Sequence, residues 1–208
     1  MFIDLLKESF TVNTPIFTSE ILRLFSSNYT RAYIFRLINK AIENNELMVH
    51  SKGVYYIPKD TFFGQSSINP ENIAEKKYIK NGDLVYGVYA GLSNLNRFGI
   101  STQVSNTSEI VTNNETTRKR IVTIDNKEFI IRKSRCQITS NNYPEYTILQ
   151  LFYDLDKNDV INNFSRKLIN NYIKENNITK DKLFNMTSIF PASASKNLIK
   201  SGIINDFI

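Results

Sequence analysis

Asp154, Asp156 and Asp159 form the densest group of carboxylates in the chain, and closely spaced acidic oxygens are what a hard divalent cation requires. A calcium loop opening at Asp154 needs glycine at its sixth position and a bidentate Glu at its twelfth, where Asp159 and Ser165 stand instead. The trio is therefore expected to cap helices. Nucleotidyl transfer would call for a Gly-Ser pair shortly before two magnesium-binding aspartates, and the chain contains no Gly-Ser. A glycine-rich phosphate loop ending in Lys-Ser or Lys-Thr is missing as well. Cys136 has basic neighbours that would lower a thiol pKa, and His50 is the only histidine, yet neither has a catalytic partner in sequence. One His and one Cys do not complete a zinc site. The expectation is no catalytic residue, no metal, no cofactor and a non-enzymatic role.

Cations and tyrosines do recur at a meaningful spacing. With Arg36 at zero and 100° per residue, Tyr29, Tyr33, Lys40 and Glu43 fall within about 60° of it, with Asn39 at the edge of that face, while Ile34, Leu37, Ile38 and Ala41 lie opposite. One face is apolar and one is suited to phosphates and base edges. The helix that carries them is expected to start at Ser27 or Asn28 and to end at Asn44-Asn45. Two strands follow, Leu47 to His50 and Val54 to Ile57, turning at Ser51-Lys52-Gly53 with Lys52 at the tip. Upstream, Thr18 is the expected cap of a shorter helix over Ser19 to Phe25, and Phe2 to Phe10 supplies another, broken at Asn13-Thr14-Pro15. Short helix, turn, longer helix and hairpin is the winged helix-turn-helix order, in which the second helix enters the major groove. The same order also serves protein-interaction modules, and a Tyr/Arg/Lys face also occurs as a plain solvated surface.

The charge balance fits an anionic partner. Lys plus Arg number 26 against 20 acidic residues, a net charge of +6 with pI near 9.3, and residues 61–140 hold 11 basic against 7 acidic side chains. A single cysteine points to a reducing compartment. The N-terminus does not read as a signal peptide, and no run approaches the ~20 apolar residues of a membrane span. A cytoplasmic protein without membrane attachment is expected.

Beyond a connector at Lys59 to Ser67, the chain is expected to be α+β: a winged helix-turn-helix over residues 1–60, then a mixed α/β domain over 68–208 with a helical tail. Asn69 and Pro70 open a helix running to Lys80. Leu84 to Val88 reads as a strand, Gly91 to Phe98 as a short helix, and Ile100 to Val104 as an extended return. Ile110 to Thr112, Arg118 to Ile124 and Lys127 to Lys133 read as strands. The last two make a hairpin with its turn at Asn126-Lys127, Asp125-Asn126 being nearly as good. The first choice sets Ile124 against Phe129, Val122 against Ile131 and Arg120 against Lys133. Arg118, Lys119, Arg120, Arg132, Lys133 and Arg135 then crowd the hairpin base, at a cost unless an anion or a carboxylate relieves them. A solvated edge blunted by cations is the alternative. From Tyr143 onward the pattern is helical, in four segments that pack against the sheet or against a partner.

Several runs resemble a known family. They are Val85-Tyr86-Gly87-Val88-Tyr89-Ala90-Gly91-Leu92-Ser93, Leu95-Asn96-Arg97-Phe98-Gly99-Ile100-Ser101-Thr102-Gln103-Val104, Val111-Thr112-Asn113-Asn114 and Arg118-Lys119-Arg120. Together with Gly53-Val54-Tyr55-Tyr56-Ile57-Pro58, Phe190-Pro191 and Leu198-Ile199-Lys200, they make the chain similar to the AbiEi-like antitoxins of type IV toxin-antitoxin systems, in a short subgroup. Ser105 stands where a proline commonly follows Gln-Val, and Ala90 where serine is usual. The resemblance implies an N-terminal winged helix that binds the operon's own promoter, usually at inverted repeats. It also implies a C-terminal domain that neutralises a nucleotidyltransferase-like toxin without forming a stable complex with it. Under this expectation Tyr29, Tyr33, Arg36, Asn39, Lys40 and Lys52 face DNA, with Arg118 to Arg120 and Arg132 to Arg135 on flanking backbone. An orphan regulator with no toxin is the alternative.

Overall fold

A computed structural model describes residues 2–62, 64–103 and 106–207. Val104, which ends the expected extended return and closes one of the matching runs, and Ser105, where the chain departs from the family pattern, lie outside the described residues. The fold is α+β and divides into two compact units, Met1–Ile73 and Ala74–Ile208.

In the first unit, α1 (Phe2–Ser9), β1 (Ile16–Phe17), α2 (Thr18–Phe25), α3 (Arg31–Glu43), β2 (Met48–Ser51) and β3 (Val54–Tyr56) surround one core. Leu6, Ile16, Ile21, Phe25, Ile34, Ile38, Ala41 and Leu47 fill it. The sheet has three strands, not two. Ile16 and Phe17 pair antiparallel with Tyr55 and Val54, giving the order β1-β3-β2. Thr18 is not the cap of α2: its amide and hydroxyl both donate to the Gly53 carbonyl, at 3.0 and 3.3 Å. The Glu20 carboxylate instead accepts from the Phe17 amide at 2.8 Å. Gly53 turns the β2–β3 hairpin at φ +81°, a conformation that favours glycine.

The long helix starts later than expected, at Arg31. Ser27 and Asn28 belong to a turn in which the amides of Asn28 and Tyr29 donate to the Phe25 carbonyl. Thr30, extended at φ −69° and ψ 152°, caps α3 by accepting from the Tyr33 amide. The helix ends at Glu43, with Asn45 left-handed at φ 58°. The connector is also more structured than expected, because β4 (Asp60–Thr61) pairs with β5 (Gly64–Gln65).

α4 (Pro70–Tyr78) straddles the unit boundary, and the Asn69 side chain accepts from the Glu71 amide at its start. It stops before Lys80 because β6 (Lys80–Asn81) turns back on β7 (Leu84–Val85). The single strand expected over Leu84 to Val88 is split. The amides of Tyr86 and Gly87 both donate to the Ile79 carbonyl, and a separate strand β8 (Gly87–Ala90) follows. α5 (Gly91–Arg97) leads to β9 (Thr107–Thr112), β10 (Arg120–Ile124) and β11 (Lys127–Lys133), in the sheet order β10-β11-β9-β8 with β9 and β11 parallel. α6 (Tyr143–Asp154), α7 (Asn163–Glu175), α8 (Lys180–Thr187), α9 (Ala192–Ser201) and a final 3-10 turn complete the unit. Val88 and Val111 join Tyr146, Leu149, Phe152, Ile169 and Leu198 in its main core. Ile110, Phe129 and Ile131 pack with Ala74, Tyr78 and Ile79 in a second cluster. Alternation along β9 places neighbouring residues in different clusters, so this strand is buried on both sides. No helix among the described residues is long and apolar enough to cross a membrane.

Candidate nucleic-acid interface

α3 buries Ile34, Ile38 and Ala41, and its opposite face is solvent-exposed. Tyr33, Arg36, Asn39 and Lys40 all lie there, and Lys52, at the β2–β3 turn, is exposed as well. Arg36, Lys40 and Lys52 have no carboxylate partner among the described residues. Arg31, the first residue of the helix, is exposed too, with its guanidinium 5.8 Å from the Phe35 ring centre, but it lies about 140° around the helix from Arg36. Periodicity did not select it, because it falls on the apolar side of the helix; it is exposed because it stands in the first turn. Tyr29 departs from expectation. It precedes the helix, is half-buried at the core edge, and sits 6.3 Å from Phe25 and 5.2 Å from Tyr33, ring to ring.

The second cationic group is built differently from its expected form. The β10–β11 turn is Asp125-Asn126, with Asp125 at φ 51° and Ile124 opposite Lys127. Val122 therefore faces Phe129 and Arg120 faces Ile131. This register keeps Phe129 and Ile131 wholly buried, which a one-residue slip would undo. The crowding of cations is relieved within the chain. Arg120 Nε lies 2.8 Å from Glu115 Oε2, and Arg132 Nη2 lies 2.9 Å from Glu109 Oε2. Glu115 is buried and accepts from the amides of Thr116 and Thr117 and the Thr117 hydroxyl. The Thr117 amide first, and then its other donors with Arg120, hold the Glu115 carboxyl below the usual range against the opposing effect of burial. Arg135 stacks over Tyr153 and Phe190, at 4.5 and 5.4 Å. Arg118, Lys119 and Lys133 remain exposed, without a carboxylate partner among the described residues.

The groups with possible chemistry settle elsewhere. Cys136 is half-buried, and burial pushes its thiol up, opposite to the lowering expected from its basic neighbours. Asp154 receives the Gly91 amide at the start of α5 at 2.7 Å, so it does serve a helix end, though one distant in sequence. Asp156 and Asp159 do not cap α7. The Asp156 amide donates to Asp159 Oδ2 within the preceding loop, and Asn162 accepts from the Ser165 amide as the cap. No group of three or more His, Cys, Asp or Glu suited to a metal occurs among the described residues.

No curated protein and no solved structure matches the chain. A family model does match over residues 5–180, and the chain belongs to that family, DUF6088, described as a family of unknown function.

Proposed function

We propose that this protein is a DNA-binding transcriptional autorepressor and the antitoxin of a type IV toxin-antitoxin system, acting in the cytoplasm against a nucleotidyltransferase-like toxin. The N-terminal unit acts as a winged helix-turn-helix, with α2 and α3 as the paired helices and the β2–β3 hairpin as the wing. The observation that carries the reading is the exposed face of α3, where Arg36, Asn39 and Lys40 stand together with neither cation in an ion pair among the described residues and Glu43 at the end of the face, opposite the buried Ile34, Ile38 and Ala41. Arg presents a fork suited to guanine, Asn one suited to adenine, and Lys52 at the turn a phosphate contact. Arg118, Lys119 and Lys133 offer a further sequence-independent phosphate surface. The antitoxin part rests on the similarity of the central run to AbiEi-like antitoxins.

The double substitution Arg36→Ala with Lys40→Ala is expected to weaken binding to the protein's own promoter at least about tenfold at moderate salt. Both side chains are exposed, so thermal stability should stay within about 0.5 kcal/mol. A gel-shift titration unchanged by the pair would remove the groove assignment. Separately, co-production with a nucleotidyltransferase encoded beside the gene should restore the growth of arrested cells. Arrest persisting at full expression of the folded chain would leave a DNA-binding protein without the antitoxin role.

A further inference from the structure

β10 lies at one edge of the four-stranded sheet, and among the described residues β11 is the strand it pairs with. Natural sheets keep an open edge from pairing with charge, proline or a bulge. Residues 121–124 have none of the three. Ile121, Val122, Thr123 and Ile124 are uncharged and β-branched, the side chains best suited to a strand. The register from Arg120 to Ile124 runs without a shift, so no bulge bends the edge away. Arg120, the cation within the strand, is already held by Glu115 at 2.8 Å. Val122 and Ile124 pack against the cluster of Phe129 and Ile131, whereas Ile121 is 59% exposed and Thr123 is exposed with it.

The turn fixes which groups the edge offers. With two residues, Asp125-Asn126, in the turn, Ile124 and Lys127 form a hydrogen-bonded pair, and alternation makes Val122 with Phe129 another. The amides and carbonyls of Ile121 and Thr123 then point away from β11. We propose that this edge pairs with the same edge of a second copy of the chain, antiparallel about a two-fold axis at Val122. Ile121 of each copy exchanges both backbone bonds with Thr123 of the other, and Val122 meets Val122 in the closer, non-hydrogen-bonded pair. The exposed Ile121 gains its own counterpart as a diagonal neighbour. Charge selects this arrangement. Lys119 comes beside Asp125 of the second copy, and the two Arg118-Lys119 ends stay apart. A parallel pair would set Lys119 against Lys119, and a shift of two residues either way would separate Lys119 from Asp125. The inference concerns the second unit alone and does not depend on promoter binding.

Two short strands make a small interface, so sedimentation equilibrium of the full chain from about 1 to 300 µM tests it. A monomer–dimer equilibrium is expected in that range. Thr123→Pro removes an outward amide, a change that edge strands tolerate, and should weaken the dimer at least about tenfold through the two bonds lost. Where that variant does not fold, Ile121→Lys, at an exposed position, decides. Cross-linking reads the register. With Cys136, the one cysteine, replaced by serine, Val122→Cys should form an intermolecular disulfide on mild oxidation, since the two Cα atoms would stand about 4.5 to 5.5 Å apart. Thr123→Cys should not, because its counterpart would lie beyond the reach of about 7 Å. A chain that stays monomeric, a dimer weakened by neither Thr123→Pro nor Ile121→Lys, or Thr123→Cys linking as readily as Val122→Cys would each overturn the proposal.

Discussion

Gly87→Ala is expected to destabilise the second unit by at least about 3 kcal/mol, lowering the melting temperature by on the order of 10 °C. Gly87 opens β8 opposite Thr112, and its amide donates to the Ile79 carbonyl at 3.0 Å. A Cβ there would sit 2.0 Å from the Tyr78 carbonyl oxygen and 2.9 Å from that of Val111. Both obstacles are main chain. Tyr78 is buried and Val111 is in the middle of the sheet, so neither yields by a rotamer change. Gly82→Asn is the control, since Gly82 has open space around it and a left-handed φ of +59° that Asn tolerates. A melting temperature for Gly87→Ala within 2 °C of the parent would show that Tyr78 and β8 do not approach to backbone contact.

The same contact explains where sequence and structure part. Leu84 to Val88 alternates as one strand, and nothing local marks the break at Tyr86. The break comes from Ile79, whose carbonyl takes two amides in a tertiary arrangement. Helices were more legible, because a 3.6-residue apolar period survives any tertiary context. α3 lies within a few residues of its expected span, and α6 to α9 are four helices after Tyr143, as expected. Boundaries failed where a side chain had two uses. Thr18 resembles a cap but spends its hydroxyl on Gly53, and Ser27 and Asn28 resemble caps but serve a turn. β1 left no pattern to read, since two residues cannot display an alternation.

Site residues divided along the same line. Arg36 and Lys40 on α3 follow from periodicity alone, because one buried stripe fixes which residues face outward. The hairpin cations did not, since their state depends on Glu109 and Glu115, which reach them across strands and turns.

Asp154 supplies the second large effect, one that depends on pH. Burial pushes its carboxyl up to about 7, outweighing the Gly91 amide and the Gln150 side chain that donate to it. Glu109 adds to the rise and Arg132 opposes it. In the unfolded chain the group titrates near 3.8, so the fold prefers the protonated form. The stability it contributes is complete below that value and is lost as the pH climbs through about 7. Asp154→Asn keeps an oxygen for the Gly91 amide, and Gln150 can turn its own carbonyl toward the new amide. Relative to the parent, the variant should gain stability from pH 4 to about pH 7 and level off above it, at about 2 to 4 kcal/mol, from about 1.4 kcal/mol per pKa unit. Chemical denaturation across that range reads the difference directly. Parallel stability curves for the two proteins would mean that Asp154 is ionised in the folded state throughout, with its charge carried by Arg132 rather than suppressed by burial.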